Sequence, residues 1–133
     1  MHEKPKLTIA IDGPSGSGKS SVSKEVARHF GLAYLDTGAM YRAATWYVQE
    51  RGIDLADAEA ISQAVVEMPL VFGTNIKEEE ILIGSTDVRE QIRSERVSAA
   101  VSAVASVPAV REHLIGLQRW AIGHAVNGIV AEG

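Results

Sequence analysis

The chain has 133 residues, of which 46% are hydrophobic and 23% charged, with no cysteine and a net charge of −4. This length suits one domain with a modest core, and the missing cysteines exclude disulfides and thiolate zinc sites, as expected for a cytoplasmic protein. The net negative charge argues against a nucleic-acid polymer as partner, because such proteins present a basic surface. The first apolar run has five residues and is too short to cross a membrane.

Hydrophobic periodicity predicts alternating strands and helices in the first half of the chain. In order, the expected elements are a strand at 7–11 with both faces covered, a helix ending at Gly31, a strand at 33–35, a helix from Asp36 or Thr37 to about 51, and a helix over 56–67. The first helix has its apolar residues every fourth position, at Val22, Val26 and Phe30. The glycine that follows suits a left-handed helix cap.

The second half of the chain begins with two β-prone runs, 70–72 and 81–83, which predict a hairpin. A helix over 95–106, a helix from Pro108 to about 125 and an apolar strand at 129–131 follow. The whole is interpreted as one α/β domain over 1–133, with a helix-and-hairpin insert at about 60–107.

The segment between the first strand and the first helix has the spacing of a P-loop. It reads Gly13-Pro14-Ser15-Gly16-Ser17-Gly18-Lys19-Ser20. Glycines permit positive φ angles, so successive backbone N–H groups can form an anion nest in front of the helix N-terminus. Lys19 would reach the β- and γ-phosphates, and the Ser20 hydroxyl would bind Mg²⁺. The pattern predicts nucleoside triphosphate binding rather than a glycine-rich turn without a ligand.

Three cations lie near predicted helix N-termini, where a positive charge is mildly unfavourable unless an anion is close. They are Lys19, Arg42 and Arg111. A shared phosphate would remove the penalty. The spacing alone leaves alternatives open: Arg42 as a surface side chain lying over Trp46, and Arg111 as a solvated or ion-paired one.

A second motif follows the first strand–helix unit, at 35–42, and reads Leu-Asp-Thr-Gly-Ala-Met-Tyr-Arg. Two other segments belong with this motif: Ile-Asp-Gly-Pro-Ser-Gly-Ser-Gly-Lys-Ser at 11–20 and Val-Pro-Ala-Val-Arg at 107–111. With these three motifs the sequence closely resembles bacterial cytidylate kinases, and the resemblance spans nearly the whole chain. The resemblance implies a P-loop NTPase fold of the nucleoside monophosphate kinase type, a parallel sheet with flanking helices, here truncated. The insert would be its monophosphate-binding region.

The resemblance also implies transfer of the ATP γ-phosphoryl group to CMP or dCMP with Mg²⁺, in a protein that is a monomer when complete. Gly13 to Ser21 would hold the ATP phosphates, with Lys19 and Arg42 as the catalytic cations. The implied CMP contacts are Ser15, Asp36, Thr37 and Arg42 at the phosphate, and Ser102 and Arg111 at the cytosine edge. Ser102 has an alternative, because serines at 94, 98, 102 and 106 also form the polar stripe of an amphipathic helix.

The last residues, 128–133, are similar to the family strand that runs into an Arg-Asp pair. Glu132 matches an acidic position that can hold Mg²⁺ through water, and the alternative is a frayed terminal residue. Asp12 is either an aid to the Mg²⁺ waters or a cap of the glycine loop. The family's further strands and arginine-rich lid follow that pair, so the expectation is an exposed edge on the first strand and little kinase activity for this chain alone.

Two other functions stay open. One is another P-loop kinase of small molecules, acting on UMP, thymidylate or shikimate, although the motif at 35–42 counts against it. The other is a non-catalytic module that binds ATP and acts through a partner, which the missing lid favours.

Overall fold

The computed structural model describes residues 7–13, 18–77 and 80–133. The elements are β1 Leu7–Ile11, α1 Lys19–Phe30, β2 Ala33–Asp36, α2 Thr37–Glu50, α3 Ala58–Glu67, β3 Leu70–Phe72, β4 Ile81–Ile83, β5 Thr86–Asp87, a 3₁₀ turn Gln91–Arg93, α4 Glu95–Ala105, α5 Pro108–His124 and β6 Gly128–Glu132. The predicted elements are confirmed within about two residues. Helix α3 begins later than expected because the Asp57 carboxylate accepts the Ala60 N–H and caps it.

Two compact units divide the chain. The first comprises Met1–Gly38, Gly73–Glu79 and Gln118–Gly133, and the second comprises Ala39–Phe72 and Glu80–Leu117. None of the helices within the described residues is long and apolar enough to cross a membrane.

The first unit contains a parallel sheet with strand order β1-β6-β2. Strand β6 is central because its residues are apolar on both faces, and Val130 pairs with Ile9 on one side and with Tyr34 on the other. Val130 and Tyr34 join Ala27 and Leu32 in a buried cluster beneath α1. The predicted α/β architecture with a parallel sheet and flanking helices is confirmed.

Strand β1 lies at an edge of the sheet, as expected for the first strand, but its faces are less covered than its apolar run predicted. It pairs with β6 alone among the described strands, and Leu7 is 45% exposed. The inner face of helix α1 is rotated from the predicted one. Ser23 and Ala27 are buried and Val26 packs against the core as predicted, while Val22 and Phe30 are more than half exposed. Small residues on the inner face let the helix approach β6 closely, and the side chains of Val22 and Phe30 point outward.

Two glycines of the first unit adopt positive φ angles that the fold requires. Gly31, with φ 64°, ends α1 as predicted, and its N–H donates to the Arg28 carbonyl at 3.4 Å. Gly128, with φ 121°, begins β6, and a Cβ there would lie 2.0 Å from the Leu7 carbonyl oxygen. Only glycine lets β6 start this close to β1.

The second unit is mainly helical, with a core of large apolar side chains. Those buried most completely are Met40, Val48, Ile61, Val65, Val88, Val97, Val104, Val110 and Leu114. The predicted hairpin is confirmed as β3 and β4, with Phe72 opposite Ile81, and β5 extends it into a three-stranded antiparallel sheet. Ser94 caps α4 by accepting the Val97 N–H at 3.2 Å.

Candidate functional site

The carboxyl ends of the three parallel strands place polar side chains at one edge of the first unit. Glu132 ends β6 and pairs in register with Ile11 of β1 and Asp36 of β2. Asp12 follows β1 directly. In open α/β sheets, ligands bind beyond the carboxyl ends of the strands, so this edge is the candidate site.

Glu132 is the most enclosed charged residue of this edge. Its side chain is 3% exposed, with Oε1 accepting the Ser20 hydroxyl and Oε2 accepting the Tyr34 hydroxyl. Its backbone carbonyl accepts the Thr37 hydroxyl at 2.7 Å. The alternative of a frayed terminal residue is therefore wrong, because β6 is paired on both sides up to this position.

Lys19 is the first residue of α1, as the motif predicted. Gly18, with φ 81°, leads the chain into the helix. The Lys19 ammonium donates to backbone oxygens of Gly13 and Gly133, both at 2.9 Å. Lys19 thus places a positive charge at the N-terminus of α1, where an anion is stabilised.

Part of the predicted phosphate loop lies outside the described residues, namely Pro14, Ser15, Gly16 and Ser17. The anion nest and the role of Ser15 at the acceptor phosphate stay predictions. Ser20 and Ser21 lie in the first turn of α1 and are exposed.

Asp12 and Thr37 flank the backbone after Glu132. A Cβ on Gly133 would lie 2.8 Å from Asp12 Oδ1 and 3.4 Å from the Thr37 hydroxyl oxygen. Asp12 is exposed and Asp36 is half-buried. The first unit thus assembles the predicted residues Asp12, Lys19, Ser20, Asp36, Thr37 and Glu132 at its strand ends, whereas the two alternatives for Asp12 stay open.

The remaining predicted site residues belong to the second unit. Arg42 lies half-buried in the second turn of α2, Ser102 is exposed on α4, and Arg111 is exposed near the start of α5. In the described part of the chain, neither arginine has a hydrogen bond or an ion pair, and Arg42 does not stack on Trp46. The two serines of α4, at 98 and 102, and its cap residues Ser94 and Ser106 are all exposed, as a polar stripe requires, so the role of Ser102 stays a prediction.

The donor set around Glu132 fits Mg²⁺. This ion prefers hard oxygen ligands and usually takes one or two protein oxygens together with phosphates and water. The Ser20 hydroxyl and the Glu132 carboxylate supply two such oxygens in direct contact. No cluster of three or more acidic, histidine or cysteine ligands exists in the described ranges, so a cage made wholly of protein groups is not formed there.

Tyr34 is a residue of this strand-end site that the sequence did not predict, since it was interpreted only as part of a strand. It is 5% exposed, and its hydroxyl donates to Glu132. A signal was available, because a tyrosine in a buried strand needs a hydrogen-bond partner for its hydroxyl. The partner lies 98 positions further along the chain and could not be named from the sequence.

Comparison with known proteins agrees with the family that the sequence motifs resemble. The family model described as cytidylate kinase matches residues 9–133. A curated cytidylate kinase of Rhodococcus opacus (strain B4) is 53% identical over 127 residues, which are 96% of this chain and 55% of the relative. That of Nocardia farcinica (strain IFM 10152) is 49% identical over 133 residues, 100% of this chain and 57% of the relative. The chain therefore spans about half the length of the curated relatives it matches.

Proposed function

The chain belongs to the cytidylate kinase family, and we propose that its strand-end site takes part in transferring the γ-phosphoryl group of ATP to CMP or dCMP. The observation that supports this most directly is the contact of Ser20 with Glu132 beside Lys19, at the carboxyl end of a parallel sheet. These are the three groups that a P-loop kinase needs around a metal-bound triphosphate: a cation, a hydroxyl and a carboxylate.

Phosphoryl transfer passes through a loose transition state, so the protein contributes mainly by positioning and by offsetting negative charge. The Lys19 ammonium, which donates to backbone oxygens of Gly13 and Gly133, would donate instead to the β- and γ-phosphate oxygens of bound ATP. Ser20 and Glu132 would hold Mg²⁺, which supplies further charge neutralisation when bound. The residues 13–21 would hold the ATP phosphates.

The acceptor nucleotide would be held by residues of the motif at 35–42 and by Ser102 and Arg111. Arg42 would bind the CMP phosphate, with Asp36 and Thr37 beside it, because a guanidinium matches two phosphate oxygens at once. Ser102 and Arg111 would contact the cytosine, whose ring nitrogen and carbonyl accept hydrogen bonds. That neither arginine has a partner among the described residues supports both roles.

Residues 60–107 would form the monophosphate-binding insert. The protein would act as a monomer with Mg²⁺ as its metal. Its substrates CMP and ATP are metabolites of the cytoplasm, so the activity would be located there.

Equilibrium binding tests the proposal. Calorimetric titration with CMP, dCMP and UMP, in the presence of Mg²⁺ and a non-hydrolysable ATP analogue, is expected to show UMP binding at least about tenfold more weakly than CMP, because the ring nitrogen that accepts a hydrogen bond in cytosine carries a hydrogen in uracil. Arg42→Ala should weaken CMP about tenfold or more without changing affinity for the analogue, since it removes charge-assisted hydrogen bonds.

The matched control is Arg28→Ala, an exposed helical arginine paired only with Glu25 three residues earlier. It should change neither affinity. Equal binding of UMP and CMP, or an Arg42→Ala chain with unchanged CMP affinity, would contradict the proposed acceptor. Binding of the analogue with no detectable acceptor would favour a module that only binds ATP.

A further inference from the structure

We propose that Tyr34 is a positioning residue for Glu132, and that its hydroxyl holds the carboxylate with the opposite oxygen directed at Ser20. The inference rests on the proposed function, in which Ser20 and Glu132 hold the metal of the nucleotide. It concerns a strand residue that would touch neither substrate nor metal. Its basis is the pair of hydrogen bonds that the Glu132 carboxylate accepts, one on each oxygen.

A glutamate carboxylate rotates easily about its last torsion, which is broad and roughly two-fold. One donor leaves the second oxygen free to exchange with the first, whereas two donors on opposite oxygens define one orientation. At Glu132 the Ser20 hydroxyl meets Oε1 and the Tyr34 hydroxyl meets Oε2. If the nucleotide metal engages Ser20 and Oε1, the Tyr34 hydroxyl becomes the only donor that still fixes the carboxylate among the described side chains.

The low exposure of Glu132 makes this donor important. Glu132 is 3% exposed, so an oxygen that loses its donor cannot readily turn to bulk water. A buried acceptor without a partner is unfavourable, and the carboxylate would rotate to relieve it. The rotation would move Oε1 away from Ser20.

Tyr34 itself is held from three sides, which a positioning residue requires. Its backbone N–H donates to the Thr74 carbonyl at 2.8 Å. Its ring packs with Leu32 and Val130 in the buried cluster, and the Lys24 ammonium lies 5.7 Å from the ring centroid. Phenylalanine would satisfy all of these contacts. The hydroxyl is the part of the side chain that the packing does not explain.

Tyr34→Phe removes this hydroxyl and keeps the ring. We expect the metal-free affinity for a fluorescent ATP analogue to stay within about twofold of that of the unchanged chain. The Mg²⁺ concentration that gives half of the metal-dependent change in analogue binding should rise about tenfold, because the hydroxyl is an outer partner of a metal ligand. A general loss of structure would weaken binding with and without metal alike.

The matched control is Tyr47→Phe in the second unit. Tyr47 is also a buried tyrosine, 8% exposed, and its hydroxyl accepts a hydrogen bond from Arg51. This variant should leave the Mg²⁺ dependence unchanged. A Glu132→Gln chain provides the second comparison, because adding Tyr34→Phe to it should produce no further change in Mg²⁺ dependence if the hydroxyl acts through the carboxylate.

The outcomes separate the two proposals. If the unchanged chain shows no metal-dependent nucleotide binding, the proposed function fails and the inference fails with it. If the unchanged chain binds and Tyr34→Phe has the same Mg²⁺ dependence, only the role of Tyr34 is overturned. The role is also overturned if Tyr34→Phe weakens metal-free binding as strongly as metal-bound binding, or if its effect on Mg²⁺ persists in full in the Glu132→Gln chain.

Discussion

Gly128→Ala is the sharpest test of how β6 joins the parallel sheet. An ideal Cβ at this position would lie 2.0 Å from the Leu7 carbonyl oxygen and 2.6 Å from the Leu7 nitrogen. Ordinary carbon–oxygen contacts are about 3.3 Å or longer. Strand β1 would therefore have to withdraw by more than about 1 Å at the end where Leu7 pairs with Gly128.

Two effects add to the expected loss of stability. Forcing a non-glycine residue into the observed φ of 121° introduces backbone strain, of order 1–3 kcal/mol. Overpacking against backbone atoms adds a similar amount, since the neighbours are main-chain atoms and cannot rotate away. Alanine reduces the entropy of the unfolded chain, which offsets under about 1 kcal/mol. We expect the free energy of unfolding to fall by about 3 kcal/mol.

Urea denaturation followed by circular dichroism measures this change, and two other glycines separate its components. Gly31→Ala meets open space but has φ 64°, so it reports backbone strain alone, about 1 kcal/mol. Gly116→Ala lies within α5 with nothing near its Cβ, and it should stabilise by up to about 1 kcal/mol through helix propensity. A Gly128→Ala chain no less stable than Gly31→Ala would refute the close approach of β1 and β6.

Two further predictions concern single side chains. The Ser23 hydroxyl is fully buried in α1 and has no hydrogen-bond partner within the described ranges, so Ser23→Ala should raise the free energy of unfolding by about 1 kcal/mol. A destabilised variant in urea denaturation would show that the hydroxyl is satisfied. The Arg89 side chain and backbone N–H, both hydrogen-bonded to Asp87, lower the pKa of that carboxyl. A lowered pKa in the folded state stabilises the protein above the ordinary value of about 4 and loses this effect as the pH falls through the folded pKa. Arg89→Ala should therefore raise the pKa of Asp87 in an NMR titration, and an unchanged pKa would argue against the pair.

Local patterns were enough to predict most of the elements. Gly31 marks the end of α1, and the Pro108 ring suits the first turn of α5, because caps and turn residues act within a few positions. The P-loop spacing placed Lys19 at the start of a helix for the same reason. The motif at 35–42 also sufficed to recognise the family, which the comparisons confirm.

Burial was less predictable than secondary structure. The periodicity of α1 pointed to Val22 and Phe30 as its inner face, yet the helix buries Ser23 and Ala27. A helix face is chosen by what it packs against, and the partner strand β6 lies about 100 residues further along the chain. The exposure of β1 has the same origin, since it depends on which strands pair with it.

The sequence by itself determined the order of the elements, the position of the phosphate loop and the family of the chain, because each depends on residues that are close together or on motifs read directly. Only the tertiary structure decided that β6 lies between β1 and β2, and hence that Glu132 is buried rather than frayed. It also decided that Ser20 and Tyr34 meet the two oxygens of that carboxylate. These contacts join positions 112 and 98 residues apart, and the packing of α1 on β6 and the pairing of β2 with β6 bring them together.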